Sequence, residues 1–386
     1  MVSQRDFDWF SLAGQPQARV EQGAPTLTGP ELDAWKDRFA RLTRFLRHKR
    51  IVLALSGGGM AMACHVSVLR VLELLNVTPD AIYGTSAGAV IGGLYAAGLS
   101  VAELERVMLD ISDPDDLFGF AARHPAMRLM AGEVVRAFAA PSFEHASIYG
   151  STKLEGYLGN VLETYTGGVP RMSELRVPFA CIAFDIGTGR PDPEERERAT
   201  KSVFSSEDTP DVSLSDAISA SMAIPGTLPP KQIDGRFYID GASIEHLPIA
   251  TALDDWHTTQ AFGRPRTAVL AVDLGYGGRA PREDTLRNPM DLVLYSGSIQ
   301  SRALTDYNLT YCHRPLRGFS IILLRPRDIS IGLCEIEKIP RVMKTAYEKT
   351  VRQLSGRGFF DLTQEHIRRA RAFRAHGQPA DRSHRG

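Results

Sequence analysis

Short apolar runs alternate with amphipathic stretches along the first quarter of the chain, and glycines stand at the junctions. Residues 51–55, Ile-Val-Leu-Ala-Leu, are continuously apolar and run into Gly57-Gly58-Gly59, the pattern of a strand covered on both faces. Beyond the glycines, Val66, Leu69, Leu72 and Leu75 recur at helical spacing. Residues 81–83 begin a second strand that ends at Gly84, and the small residues of 87–97 read as a helix. Strand, glycine turn, helix, strand, sharp turn, helix is the opening of a parallel α/β sheet. Further strands are expected at residues 177–184, 237–240, 268–274 and 319–324, with Gly187-Thr188-Gly189 as a turn and the Glu- and Arg-dense 191–198 as a solvated loop.

Outside that frame the pattern is less regular. Residues 1–27, rich in Gly, Gln and Pro, read as an irregular arm, and Leu32, Trp35, Phe39, Leu42 and Phe45 then mark an amphipathic helix over 30–46 docked on the core. Residues 112–148 carry Pro114, Phe118, Phe120, Met127, Met130, Val134 and Phe138, and fit either core helices or a cap facing lipid. After Ile367, six arginines (Arg368, Arg369, Arg371, Arg374, Arg382 and Arg385) face a single Asp381. A solvated end is the default for such a tail, and contact with an anionic lipid surface is the sharper alternative.

Composition narrows the class. Of 386 residues 43% are apolar, enough for a sizeable core, and the formal net charge is zero, so no bulk field recruits nucleic acid. Cys64, Cys181, Cys312 and Cys334 form no CxxC pair, which predicts neither a disulfide framework nor a zinc site and fits a reducing, cytoplasmic compartment. The opening MVSQRDFDWF has no long apolar run, so no ordinary secretory leader is expected, and no stretch reaches the ~18 uninterrupted apolar residues of a membrane span.

Three segments carry candidate chemistry. In Gly84-Thr85-Ser86-Ala87-Gly88 a serine stands between two glycines where a strand turns sharply into a helix, a placement that exposes its hydroxyl at the sheet edge. Ser56-Gly57-Gly58-Gly59 also follows a buried strand and precedes a helix, and its successive bare amides are suited to one anion. A nucleotide loop is the rival reading; it fails because Met62 occupies the third glycine of the dinucleotide pattern and no Gly-Lys-Ser/Thr follows. Asp240-Gly241-Ala242 supplies a carboxylate at the end of the strand expected over 237–240.

These segments resemble the patatin-like phospholipases. Leu55-Ser56-Gly57-Gly58-Gly59 is similar to the family's glycine-rich motif, Asp80-Ala81-Ile82-Tyr83-Gly84-Thr85-Ser86-Ala87-Gly88-Ala89 to its nucleophile elbow, Ala220-Ser221-Met222-Ala223-Ile224-Pro225-Gly226 to the segment leading to its aspartate, and Asp240-Gly241-Ala242 to its D-G-[GA] motif. The resemblance covers residues 51–247 and implies a three-layer αβα fold with a mostly parallel central sheet. It also implies a Ser86–Asp240 dyad, an oxyanion hole at Gly57, Gly58 and Gly59, an elbow framed by Gly84 and Gly88, no cofactor or metal, and a lipid or phospholipid substrate met at a membrane periphery. The domain organisation that follows is an arm and helix over 1–50, a catalytic domain over 51–280, and an extension over 281–386 with at least one strand, helices and the basic tail. Two departures stand out: Met60-Ala61-Met62 replaces the family's usual x-Arg-Gly, and His246 stands where the family often has Asn. Two other readings compete, a Ser–His–Asp hydrolase drawing on His246, His257, His313, His366, His376 or His384, and a catalytically silent lipid-binding scaffold.

Overall fold

The computed structural model describes residues 45–46, 49–112, 151–188, 200–225, 227–254, 267–275, 289–311, 319–327, 331–332 and 335–355. The arm, all but the last two residues of the helix expected over 30–46, the 113–148 stretch, the 191–198 loop, the basic tail, Cys312 and Cys334 lie outside the described residues.

Among the described residues one sheet holds eight strands: β1 (Arg50–Leu55), β2 (Ala81–Thr85), β3 (Phe179–Gly187), β4 (Thr200–Ser205), β5 (Lys231–Ile233), β6 (Arg236–Asp240), β7 (Thr267–Val272) and β8 (Phe319–Leu324). Around it lie α1 (Ala63–Leu74), α2 (Ala87–Ala97), α3 (Val101–Leu109), α4 (Ser151–Thr166), α5 (Leu214–Met222), α6 (Ile249–Asp254), α7 (Pro289–Tyr311) and α8 (Ile339–Ser355). β3, β2, β1, β7 and β8 run parallel in that order, so all five end at one edge of the sheet. β4 and the β5–β6 hairpin are antiparallel additions to β3. That hairpin turns at Asp234-Gly235, both at positive φ (49° and 80°), the geometry of a type I′ turn.

The strands alternate between two cores. Ile51, Leu53, Leu55, Leu270 and Val272 pack into one layer with α1, α2, α5 and α8; Val52, Ala54, Val269 and Ala271 pack into the other with residues of α6 and α7. Every residue from Ile51 to Leu55 is therefore buried, which is why the run shows no polar alternation. The result is the αβα sandwich with a mostly parallel sheet that the motifs imply. Residues beyond 280 add to this sandwich: β8 extends the sheet past β7, and α8 lies on α1, where the Ser67 hydroxyl donates to the Met343 carbonyl at 2.8 Å. Cys64 and Cys181 are free and buried, and desolvation pushes the Cys64 thiol up to about 12, far from reactivity. Among the described residues no helix is long and apolar enough to cross a membrane.

The pairing of β3 fixes where β2 and β6 end. Ile182 of β3 pairs with Thr85 and with Val203, and Ala183 pairs with Asp240 and with Ser202. Since β4 occupies one edge of β3 through both positions, β2 and β6 must share the opposite edge, end to end. Their C-terminal ends meet beside Ile182 and Ala183, which brings Ser86, the residue after β2, against Asp240, the last of β6.

Candidate active site

Ser86 sits at φ 54°, ψ −116°, a conformation that costs a non-glycine residue free energy and persists only when its surroundings enforce it. The surroundings here are close-packed backbone. A Cβ on Gly84 would lie 2.5 Å from the Gly88 carbonyl oxygen, and a Cβ on Gly88 would lie 2.1 Å from that of Leu55. The glycines on either side of Ser86 are thus required by the approach of β1, β2 and α2 to one another. The Ser86 amide donates to Ser221 Oγ at 2.9 Å, and that hydroxyl donates in turn to the Ile182 carbonyl at 2.6 Å. Ser221 thereby ties the strained turn to β3. Its motif was visible in the sequence, but a serine in a helix gives no local sign that it will brace a residue 135 positions away. Ser221→Ala strands a buried amide and a buried carbonyl, and is expected to lower stability by about 1–3 kcal/mol in urea denaturation. Ser221→Thr, which keeps the oxygen, should lose less.

The Ser86 hydroxyl donates to Asp240 Oδ2 at 2.7 Å, and Asp240 Oδ1 accepts the Ala242 amide at 2.7 Å. Asp240 is 4% exposed, and desolvation raises its pKa from an ordinary 3.8 to about 6 against the pull of those two hydrogen bonds. Its own amide donates to the Ala223 carbonyl at 2.9 Å, so the Ala220–Ile224 stretch holds both Ser86 and Asp240.

The glycine loop closes over the same spot. A Cβ on Gly57 would lie 3.4 Å from Ser86 Cβ and 2.9 Å from His246 Nδ1, so the loop runs between the serine and that ring. The Gly57 amide donates to the His246 carbonyl at 3.0 Å. That differs from the expectation that all three glycine amides face one anion, since this N–H is spent on the fold. The amides of Gly58 and Gly59 open the 3-10 turn Gly59–Met62, where N–H groups lack internal partners, and neither has an acceptor among the described residues. The segment after Asp240 stitches the two loops together: the Glu245 carbonyl accepts the Thr85 hydroxyl at 2.9 Å, next to the His246–Gly57 bond.

Two histidines lie nearby, and both are fully inside the protein. Desolvation lowers His65 and His246 to about 4, so both rings are neutral at physiological pH. His65 Nε2 donates to the Ser56 carbonyl at 2.9 Å and braces the glycine loop from behind. Ser86 Oγ has a carboxylate, not an imidazole, as its hydrogen-bond acceptor. His257, His313, His366, His376 and His384 lie outside the described residues. Among the described residues no three His, Cys, Asp or Glu side chains gather as a metal site.

Ser86 thus stands on a strained strand–helix turn, hydrogen-bonded to a buried carboxylate, and the neighbouring glycine loop carries two amides without an acceptor among the described residues. The chain belongs to the patatin-like phospholipase family, whose model matches residues 53–253. An uncharacterized NTE family protein of Mycobacterium tuberculosis is 29% identical over 201 residues, covering 52% of this chain and 45% of that protein. A lysophospholipase of Neurospora crassa is 25% identical over 353 residues, covering 86% of this chain but only 20% of its own length. The chain thus spans less than half of either relative. Among solved structures, VipD from Legionella pneumophila aligns with a TM-score of 0.40 at 13% identity, over 85% of this chain and 75% of that one.

Proposed function

We propose that the chain is a lipid acyl hydrolase of the phospholipase A or lysophospholipase type, working through a Ser86–Asp240 dyad. The observation that carries this reading is the 2.7 Å hydrogen bond from Ser86 Oγ to a carboxylate that burial has made more basic. Asp240 takes the hydroxyl proton as Ser86 Oγ bonds to the ester carbonyl carbon, and the electron pair moves to the carbonyl oxygen. Gly58 and Gly59 donate to that oxyanion. Collapse expels the alcohol, which leaves with the proton from Asp240. Water then attacks the acyl-serine with Asp240 again as base, releasing the fatty acid and restoring Ser86. The names of the fungal relatives favour a lysophospholipid among the candidate esters. Such esters gather in membranes and micelles, and contact with that kind of surface is part of the proposal.

The test is a panel of lysophospholipids, diacyl phospholipids and glycerides incubated with purified protein and read by mass spectrometry, alongside a fluorophosphonate probe. The expected result is release of fatty acid and a covalent adduct on the peptide containing Ser86. An unlabelled Ser86 together with no product from any lipid would establish the silent-scaffold reading instead.

The pH profile follows from the same site. Asp240 must be ionised to accept a proton, so kcat/KM on a soluble ester is expected to rise as pH climbs through about 6 and then level off. Both nearby histidines are held neutral well below that range, so no second limb near 7 is expected. A profile governed by a group titrating at 7 would point to a histidine base.

A further inference from the structure

Glu245 carries a carboxylate sealed inside the protein that the reaction as described does not use. The residue is 2% exposed, and three donors converge on it. The Thr251 amide donates to Oε1 at 3.0 Å; the Thr251 hydroxyl and Lys201 Nζ, the latter at 3.1 Å, donate to Oε2. Lys201 Nζ also donates to the Thr251 hydroxyl at 2.9 Å. Lys201 comes from β4, and Thr251 from the first turn of α6, whose amides have no partners within the helix. The backbone of Glu245 and its neighbour reaches all three parts of the site. The Glu245 amide donates to the Gly241 carbonyl at 2.8 Å, in the turn whose Ala242 amide holds Asp240 Oδ1. The Glu245 carbonyl accepts the Thr85 hydroxyl, one residue before Ser86, and the His246 carbonyl accepts the Gly57 amide.

We infer that Glu245 is a positioning residue: clamped by Lys201 and Thr251, it fixes the backbone of residues 245 and 246, and that backbone sets how the elbow, the Asp240 turn and the glycine loop meet. The inference rests on the hydrolase reading and deepens it. Residues 244–248 belong to no helix or strand, so no ladder of backbone bonds fixes the course of the chain there. The turn before them is pressed on β3, where a Cβ on Gly241 would lie 2.1 Å from the Ile182 carbonyl oxygen. Past that turn the Glu245 side chain takes over the task. A buried ion pair adds little net stability compared with apolar residues of the same volume. What it supplies is direction, because hydrogen bonds to an ionised carboxylate are shorter and stronger than neutral ones. Direction matters here: a displacement of about 1 Å among nucleophile, base and oxyanion donors costs roughly 100-fold in rate. The Arg70–Glu105 pair makes a control. Its carboxylate is also buried, at 8% exposure, and accepts Arg70 Nε at 2.9 Å, but it joins α1 to α3 instead of the loops around Ser86.

The experiment measures kcat and KM on p-nitrophenyl butyrate, and the rate of fluorophosphonate labelling at Ser86, for wild type, Glu245→Ala, Glu245→Gln and Glu105→Ala. Each is assayed well below its melting temperature. Glu245→Ala is expected to lower kcat and the labelling rate together by about 100-fold, with KM within about twofold of wild type. Glu245→Gln keeps an oxygen for the Thr251 amide and loses only the charge, so its expected loss is about tenfold. It carries the comparison should Glu245→Ala fail to fold. Glu105→Ala is expected to melt lower with kcat unchanged. A second arm needs no turnover: amide hydrogen exchange in the peptides covering residues 55–60 and 84–90. Exchange there is expected to be about tenfold faster in the Glu245 variants and unchanged in Glu105→Ala. Folded Glu245 variants with wild-type kcat and labelling, or with a loss that lies wholly in KM, overturn the positioning role and leave the hydrolase reading intact. A wild type that neither cleaves the ester nor takes the label overturns the hydrolase reading. Faster exchange in that protein keeps Glu245 as the clamp of the three loops, and unchanged exchange overturns the clamp as well.

Discussion

Asp240→Asn is expected to lower acyl transfer by about ten-thousandfold, as much as Ser86→Ala, with the double variant losing little more. The reason is geometric. Asparagine has the size of aspartate and satisfies the same neighbours: its oxygen accepts the Ala242 amide, and its amide donates to Ser86 Oγ. Only the proton acceptor disappears. Two groups that act as one unit are each fully lost when either is removed, so their effects do not add. Stability should move the other way. The Asp240 pKa is raised by folding, so between 3.8 and about 6 the folded chain keeps a proton that the unfolded chain has released. Stability from this group is therefore present at low pH, falls as pH rises through that window, and above it carries the full cost of a buried carboxylate. Asp240→Asn is expected to melt higher than wild type at pH 8, with the gap closing toward pH 4. Residual turnover near wild type in that variant would show Asp240 to be a turn residue only.

Gly88→Ala is the largest expected loss of stability, about 4 kcal/mol or more by urea denaturation. The added methyl meets the Leu55 carbonyl at 2.1 Å, and that oxygen belongs to the central strand of the sheet, where no side chain can rotate to make room. Either β1 or the start of α2 must shift, and a shift of α2 carries Ser86 with it. Gly156→Ala is the matched control. That glycine is exposed within α4 with nothing within 4 Å of a Cβ, so alanine there is expected to add up to about 1 kcal/mol through helix propensity. Equal effects at the two sites would mean that packing at the elbow does not demand glycine.

The strands and turns that carry the site were readable because their causes are local. A strand buried on both faces is uniformly apolar, as residues 51–55 are. A backbone that folds back on itself excludes a Cβ, as at Gly84 and Gly88. The family motifs added roles to Ser86 and Asp240 that spacing alone does not assign. β4 and β5 have no sequence signal because their residues, Thr-Lys-Ser-Val-Phe-Ser and Lys-Gln-Ile, form no apolar run; partners on β3 and β6 make them strands. The expected strand over 177–184 begins instead at Phe179 and runs to Gly187, because its length is set by β4 and β6, which pair with it as far as Asp185 and Gly187.

By itself, then, the sequence determined a parallel α/β sheet, two glycine-bounded turns at strand ends, and a serine and an aspartate in the positions where such sheets place chemistry. The tertiary structure decided which groups meet. The register of β3 sets Thr85 beside Ile182 and Asp240 beside Ala183, and so joins two residues 154 positions apart in one hydrogen bond. Ser221 is made a brace and the Gly57 amide is removed from the loop's unclaimed donors in the same way, by partners distant in the chain. Desolvation, which makes Asp240 a stronger base, is likewise a property of everything packed around it. Pairings of that kind depend on strand register and burial, and neither is encoded in any short stretch of residues.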